Sequence, residues 1–308
     1  MDNLLVGCTQ SVNMSEKLHY RLNKRIKDDT FDVDNIAQYN LFIQISNTLF
    51  RICVTDTERN RCLLLEDYKL DAINFPEQLI AQLELIYDDH HVLKAGYWKS
   101  IKVAMKGMNF SLIPNSLFDK NYLKEYLSLN CTLNTEPEEG FYYYTQKSTD
   151  AVTIFSADKK VISWFTKMYP SKNVQIVHHT APLIEGVMFK GNDLTERNMF
   201  LHVEQNYLTI LVKNKKTLEF CNTFYFSTAE DFIYYVLFVF DQLNLSQEHT
   251  AVTVWGELTH DSLVYNKLLK YIREVSFGEK PSSMKFGYWF DEVMDHNFFD
   301  LYSMHLCE

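Results

Sequence analysis

No Walker-type phosphate loop, dinucleotide-binding glycine string, GxSxG elbow or HExxH pair occurs in the 308 residues. The local motifs that usually announce ATP hydrolysis, nicotinamide chemistry, acyl transfer or zinc proteolysis are therefore missing. Net positive charge is missing too. Thirty basic against forty acidic side chains leave a formal charge of −10, which disfavours a general nucleic-acid surface, because phosphate binding needs a positive field. The longest apolar run, Phe232 to Phe240, is about half of the ~20 residues that cross a bilayer. The opening Met1-Asp2-Asn3-Leu4-Leu5-Val6 has no basic start followed by an apolar core, so no signal peptide is expected. Six cysteines (8, 53, 62, 131, 221 and 307) are scattered without a CxxC, which points to a reduced, cytoplasmic setting. Cys53, Cys62 and Cys221 sit in strand patterns as small apolar residues.

What is present is the composition of a soluble globular protein, 46% apolar and 23% charged, long enough for two domains with separate cores. The 22 Phe and 19 Tyr imply thick aromatic cores. The one basic cluster, Lys17, Arg21, Lys24, Arg25 and Lys27, reads as a solvated face of an N-terminal arm.

One stretch occurs twice. Residues Asn40 to Val54 align without a gap against Asn198 to Val212, with apolar residues matching at 41–43, 45, 49, 50 and 52–54. Each copy reads as a β-hairpin followed by a third strand and a long helix, which predicts two similar lobes facing each other across a cleft. An arm over 1–38 carries Leu18, Leu22 and Ile26 at helical spacing. The first lobe spans 39–191, with strands at 40–46, 48–55 and 61–70. A helix capped at Asn74 follows, with Pro76 in its first turn and Leu79, Leu83 and Ile86 inward. Further strands fall at 101–105 and 110–114, a helix at 117–129 and an inserted hairpin over about 139–157. A helix at 158–168, a strand at 174–177 and a helix from Pro182 to Lys190 complete this lobe. Gly191-Asn192-Asp193 is the expected crossing. The second lobe, 192–308, has strands at 198–204, 206–213 and 216–226. A helix at 228–244, capped by Ser227 with Glu230, is apolar on every side and so is placed between its own sheet and the neighbouring lobe. A strand at 251–256, a helix at 261–271, a short strand at 275–277 and an aromatic, ordered tail from Phe286 to Cys307 end the chain.

A hairpin, a third antiparallel strand, a helix and further parallel strands, twice over, resemble the actin-like ATPase superfamily (actin, Hsp70, sugar kinases). The closer resemblance is to an uncharacterised bacterial domain-of-unknown-function family assigned to that superfamily. It is carried by Phe110-Ser111-Leu112-Ile113-Pro114-Asn115-Ser116-Leu117-Phe118, by Cys221 to Phe224 with Ala229 to Phe238, and by Leu268 to Arg273, over roughly residues 38 to 307. The resemblance implies an α/β fold of two ribonuclease H-like lobes in tandem, each a mixed sheet with an antiparallel hairpin edge and flanking helices. It implies no activity.

In actin-like ATPases two hairpin turns of pattern Asp-x-Gly grip the phosphates, because glycine lets N–H groups approach closely and the aspartate positions metal and water. Here Gln44 and Ser46 replace the first pair and His202 and Glu204 the second, while the adenosine-side Gly-Gly is reduced to Trp255-Gly256-Glu257. The leading reading is that these turns are merely turns; the minority reading keeps Ser46, Asn47, Thr48, Gln205, Asn206 and Gly256 as a degenerate nucleotide pocket, since hydroxyl and amide groups still donate to anions. No catalytic residue, metal site or resident cofactor is expected; ATP with Mg is the minority alternative. The pairs His90-His91 and His178-His179 point to opposite faces of a strand. Neither His178 with Glu185 nor His296 with His305 has metal-ligand spacing. Asp291, Glu292 and Asp295 read either as a paired-carboxylate site or as an exposed acidic helix face. The expectation is a catalytically silent, cytoplasmic module acting through an unidentified protein partner, with no nucleic acid and no membrane insertion. The alternative is an atypical nucleotide-binding protein with slow hydrolysis or phosphoryl transfer.

Overall fold

The computed structural model describes residues 20–71, 73–133, 138–190 and 197–307. The first sheet runs β1-β4-β3-β2-β5-β9: β1 Tyr20–Lys27, β2 Tyr39–Ile45, β3 Leu49–Asp56, β4 Arg61–Leu70, β5 Ser100–Met105 and β9 Val174–His178. Between β5 and β9 a second, three-stranded sheet, β6-β8-β7, is built from β6 Phe110–Pro114, β7 Glu139–Thr145 and β8 Ala151–Asp158. The third sheet, β12-β11-β10-β13-β14, contains β10 Arg197–Glu204, β11 Tyr207–Asn214, β12 Thr217–Tyr225, β13 Val252–Gly256 and β14 Val275–Phe277.

Apart from β1, the first and third sheets have one strand order: third, second and first strands antiparallel, then two parallel strands. The hairpin registers also coincide. Ile45 pairs with Phe50 in one, Val203 with Leu208 in the other. The chain therefore has the two lobes of an actin-like ATPase fold. Strands β2 and β3 are buried at every position, because both faces of the first sheet are covered; the burial takes in Asn40, Gln44, Arg51, Thr55 and Asp56 along with the apolar residues.

The helices are α1 Pro76–Asp89, α2 Leu123–Ser128, α3 Lys159–Met168, α4 Thr180–Lys190, α5 Ala229–Gln242, α6 Leu263–Tyr271 and α7 Phe299–Tyr302. Residues of α1 and α3 share a core with one face of the first sheet. Its other face meets the tail, through Phe290, Leu301, Tyr302, Met304 and Cys307. In the second lobe α5 and α6 cover one face, while α4 and Phe299 of α7 cover the other.

Several local expectations are corrected. Helical spacing at Leu22 and Ile26 gives instead the edge strand β1, paired with β4; Leu18 lies outside the described residues, as do Lys17 and the crossing at 191–193. Arg25 pairs there with Glu66. The cap of α1 is Phe75, not Asn74, and the reciprocal bonds come from Gln78, whose Oε1 accepts the N–H groups of Asn74 and Phe75. The helix expected over 117–129 is regular only from Leu123 to Ser128, preceded by tight turns that Asp119 caps. Thr228 with Asp231 caps α5, one residue beyond the Ser227–Glu230 pair.

The largest correction concerns the helix between the lobes. Helix α5 leaves Tyr234 62% and Phe238 43% exposed and packs on its own sheet and α6. Residues 180–188 of α4 are all buried, and this helix lies against the second lobe's sheet. An apolar circumference was misleading for α5, since tyrosine and phenylalanine tolerate an outer face. Close approach marks α4 instead: a Cβ on Gly186 would sit 2.4 Å from Ser303 Oγ and 2.8 Å from the Phe299 ring.

Candidate functional site: a charged clasp between two hairpin turns

The hairpin turns of the two lobes meet. In the first, Ser46 Oγ accepts the N–H groups of Thr48 (3.1 Å) and Leu49 (3.2 Å), a hydroxyl-closed turn. In the second, Gln205 takes a left-handed conformation (φ 51°) and the Asn206 side chain donates to the Phe226 carbonyl at 3.0 Å. Gln205 Nε2 donates across the gap to Thr48 Oγ1 at 3.0 Å.

Behind each turn, register lines up a row of three residues on adjacent strands: Gln44–Arg51–Asp67 in the first lobe, His202–Thr209–Thr223 in the second. The second row is neutral at Thr209 and Thr223, whose hydroxyls bond each other at 2.9 Å. The first carries charge. Arg51, 3% exposed, donates from Nε to Asp67 at 2.7 Å, from Nη1 to Glu204, and from Nη2 to Glu257 at 2.7 Å. Lys106, just beyond β5, pairs with the same Glu204 and with Asp300 at 2.9 Å. His202 Nε2 lies 3.4 Å from the other oxygen of Asp300. The ring of Phe298 stands 4.9 Å from the Arg51 guanidinium, held in a left-handed backbone (φ 59°) that a bulky residue adopts only under constraint.

Burial by itself would raise the Glu204 carboxyl, but Arg51 and Lys106 outweigh it and hold the group at about 2. Burial likewise opposes the charge on Asp300, and Lys106 with His202 keeps its carboxyl well below the usual range. Desolvation works against the Lys106 ammonium, yet Asp300 and Glu204 raise it. His179 is pushed well below the imidazole range by burial and by its neighbours His178 and Lys106. His178 falls to about 3, chiefly through burial.

A cavity of about 260 Å³ opens beside the clasp, lined by Ser46, Asn47, Thr48 and Gln205 with His202, Thr209 and Thr223. Four of the six residues read as a degenerate pocket thus come together. Asn206 is committed to Phe226, just beyond β12, through both its side chain and its carbonyl. Gly256 is buried, at φ 105°, where a Cβ would meet the Val203 carbonyl oxygen at 1.9 Å, so its glycine is required by the β10–β13 contact. Gln44 is fully buried, and neither end of its amide has a hydrogen-bond partner.

The other sequence candidates disperse. His90 bonds Glu66 at 2.8 Å, His178 bonds Thr180 and the Gly107 carbonyl, and His296 bonds the Leu258 carbonyl. Glu185 accepts the N–H groups of Lys147 and Ser148, and Asp295 pairs with Lys280. Among the described residues no group of three or more His, Cys, Asp or Glu is placed to hold a metal ion. Motif reading missed Arg51, Lys106, Glu257 and Asp300. The available signal was an arginine within an apolar strand and an aspartate within an aromatic run, since such charges are rarely buried without partners.

A family model described as "Protein of unknown function (DUF3822)" matches residues 28–275. No curated protein matches the chain. Among solved structures, one from Bacteroides thetaiotaomicron, a protein with an actin-like ATPase fold and unknown function, is 23% identical. It aligns with a TM-score of 0.77 over 90% of this chain and 99% of that one. A PilM–PilN type IV pilus biogenesis complex aligns at 0.51 and 10% identity, over 87% of this chain and 98% of that one. Both likenesses are likenesses of fold.

Proposed function

We propose, for a chain that belongs to the DUF3822 family, that the actin-like scaffold holds a protein partner and does not turn over a nucleotide. The observation that carries this reading is the position of Glu204. Where an ATPase of this fold has a glycine, a carboxylate lies between a guanidinium and an ammonium, so the cations that would meet a phosphate oxygen are already neutralised. Gln44 and His202 replace the two aspartates, and His202 is engaged by Asp300. The 260 Å³ cavity is smaller than the roughly 300–1,000 Å³ of ordinary ligand pockets. These residues do not fit a magnesium-bound triphosphate.

The shared strand order and register support an origin of the lobes, 39–191 and 192–308, in duplication of one unit. Among the described residues no helix is long and apolar enough to cross a membrane. The scattered cysteines without a CxxC support a reducing, cytoplasmic setting. A structure sharing the fold is that of a two-protein complex, PilM–PilN, which supports a partner-holding role for the scaffold.

The second reading, an atypical nucleotide site, is favoured by the hydroxyl and amide donors of Ser46, Thr48 and Gln205 around the cavity. Calorimetric titration with Mg-ATP separates the two. No binding is expected at millimolar nucleotide. Micromolar binding that Ser46→Glu abolishes would overturn the proposal.

A further inference from the structure

Sheet edges are commonly protected from pairing with other chains, and among the described residues the edge strand β12 lacks the usual devices. Edge strand β1 carries Arg21, Lys24, Arg25 and Lys27, the charged residues that commonly blunt an edge, and β14 is only three residues long. Strand β12 is nine residues long, has no lysine or proline, and holds one charge, Glu219, within Thr-Leu-Glu-Phe-Cys-Asn-Thr-Phe-Tyr. Its free edge faces a groove of about 840 Å³ whose opposite wall is β6, itself the edge of the inserted sheet.

The hydrogen-bond pattern says which main-chain groups look into this groove. Phe226 N–H donates to the Asn206 carbonyl, so with alternating antiparallel pairing Phe224, Asn222 and Phe220 bond β11 while Cys221 and Thr223 turn outward. The Thr223 N–H is taken by Asn222 Oδ1, which leaves the amide of Cys221 directed outward. On the other wall Ser156 N–H donates to the Asn109 carbonyl, so Ser111 and Ile113 bond β8 and Leu112 turns outward. Leu112, Leu218 and Cys221 all pack on the cluster formed by α4, Phe200 and Trp255, giving the groove an apolar floor. Among the described residues, those lining it include Asp150 and Glu219 and no lysine, arginine or histidine; Arg197 pairs with Glu219.

We propose that this groove takes an extended segment of a partner protein, which adds a strand to β12 and packs alternate apolar side chains between Leu112 and Leu218. Main-chain pairing supplies affinity, and the alternation supplies selectivity. At about 3.3 Å per residue, the six-residue wall from Asn109 to Pro114 is about 20 Å long, enough for a strand of ordinary length. With Glu219 paired to Arg197, the Asp150 carboxylate on the lining favours a segment bearing lysine or arginine beside its apolar positions. This deepens the partner-holding reading, on which it rests.

The test is selection of a displayed library of random dodecapeptides against the full chain, followed by synthesis of the recovered peptides and hydrogen-exchange mapping of where they sit. Expected are peptides with alternating apolar residues and a basic flank that slow exchange in β12 and at Leu112. Cys221→Pro removes an N–H that β11 does not use, and proline is tolerated at such edge positions. It should weaken binding about five- to tenfold, the loss of one main-chain hydrogen bond, while leaving the melting temperature near wild type. Asp150→Lys should weaken the basic peptides without touching the edge. Recovered peptides that protect a different surface, recovery of none, or concentration-dependent protection of β12 by a second copy of the chain would each overturn the proposal. The Mg-ATP titration is independent: nucleotide binding with an empty groove defeats the scaffold reading, whereas peptides bound elsewhere defeat only the groove.

Discussion

Replacing Glu204 by glycine restores the residue that an actin-like ATPase carries at this turn, and it should turn a closed clasp into an anion site. Removing one partner of a buried ion pair typically costs about 3–5 kcal/mol. Here the loss is shared, because Arg51 keeps Asp67 and Glu257 while Lys106 keeps Asp300, so about 2 kcal/mol is expected. For a chain of this size that lowers the melting temperature by roughly 4 °C. Glu204→Ala separates the charge effect from the conformational freedom of glycine, worth up to about 1 kcal/mol. Arg51 and Lys106, each short of one carboxylate, should then bind inorganic phosphate or pyrophosphate. Ligand at about a hundred times its dissociation constant returns about 2.7 kcal/mol, more than the deficit. The assay is thermal unfolding in phosphate-free buffer, with and without pyrophosphate, against sodium chloride of equal ionic strength. Wild type should show no specific shift. Equal shifts in wild type and variant, or a variant as stable as wild type, would refute the idea that Glu204 stands in for a phosphate.

The remaining predictions follow from single contacts. Because the folded Glu204 carboxyl lies at about 2, below its unfolded value of about 4.3, its contribution is complete above the unfolded value and lost as pH falls between the two. Acid unfolding of Glu204→Gln should therefore be flatter across that window than that of wild type. Burial depresses His178 and His179 in the folded chain, so their protonation adds to acid destabilisation below about pH 6.5. Gly186→Ala should lower stability by about 1–3 kcal/mol in denaturant unfolding, because the added methyl meets Ser303 and Phe299, and Ser303→Gly should recover part of it. Thr228→Ala should cost about 1 kcal/mol and Ser227→Ala close to nothing, which places the α5 cap by measurement.

Pattern alone determined most of the elements and their order, the edge strand β1 excepted. The matching stretches 40–54 and 198–212 predict two hairpins, and β2 with β3 and β10 with β11 form them in equal register, because alternation and turn position are local properties of a strand. Residues with local jobs were legible in the same way, as Leu79, Leu83 and Ile86 show on the inner face of α1. The substitutions at Gln44, Ser46, His202 and Glu204 could likewise be read against a motif. What Glu204 touches could not. Its partners Arg51 and Lys106 lie 153 and 98 positions away, brought together only when two sheets close on α4 and the tail folds back to deliver Asp300. The burial of α4 and the outer face of α5 were decided at the same stage, since apolar content says that a helix can be covered but not which neighbour covers it. Chain-local chemistry specified the lobes; the charge clasp between them exists only in three dimensions, because electrostatic pairing depends on distance and burial and carries no sequence period.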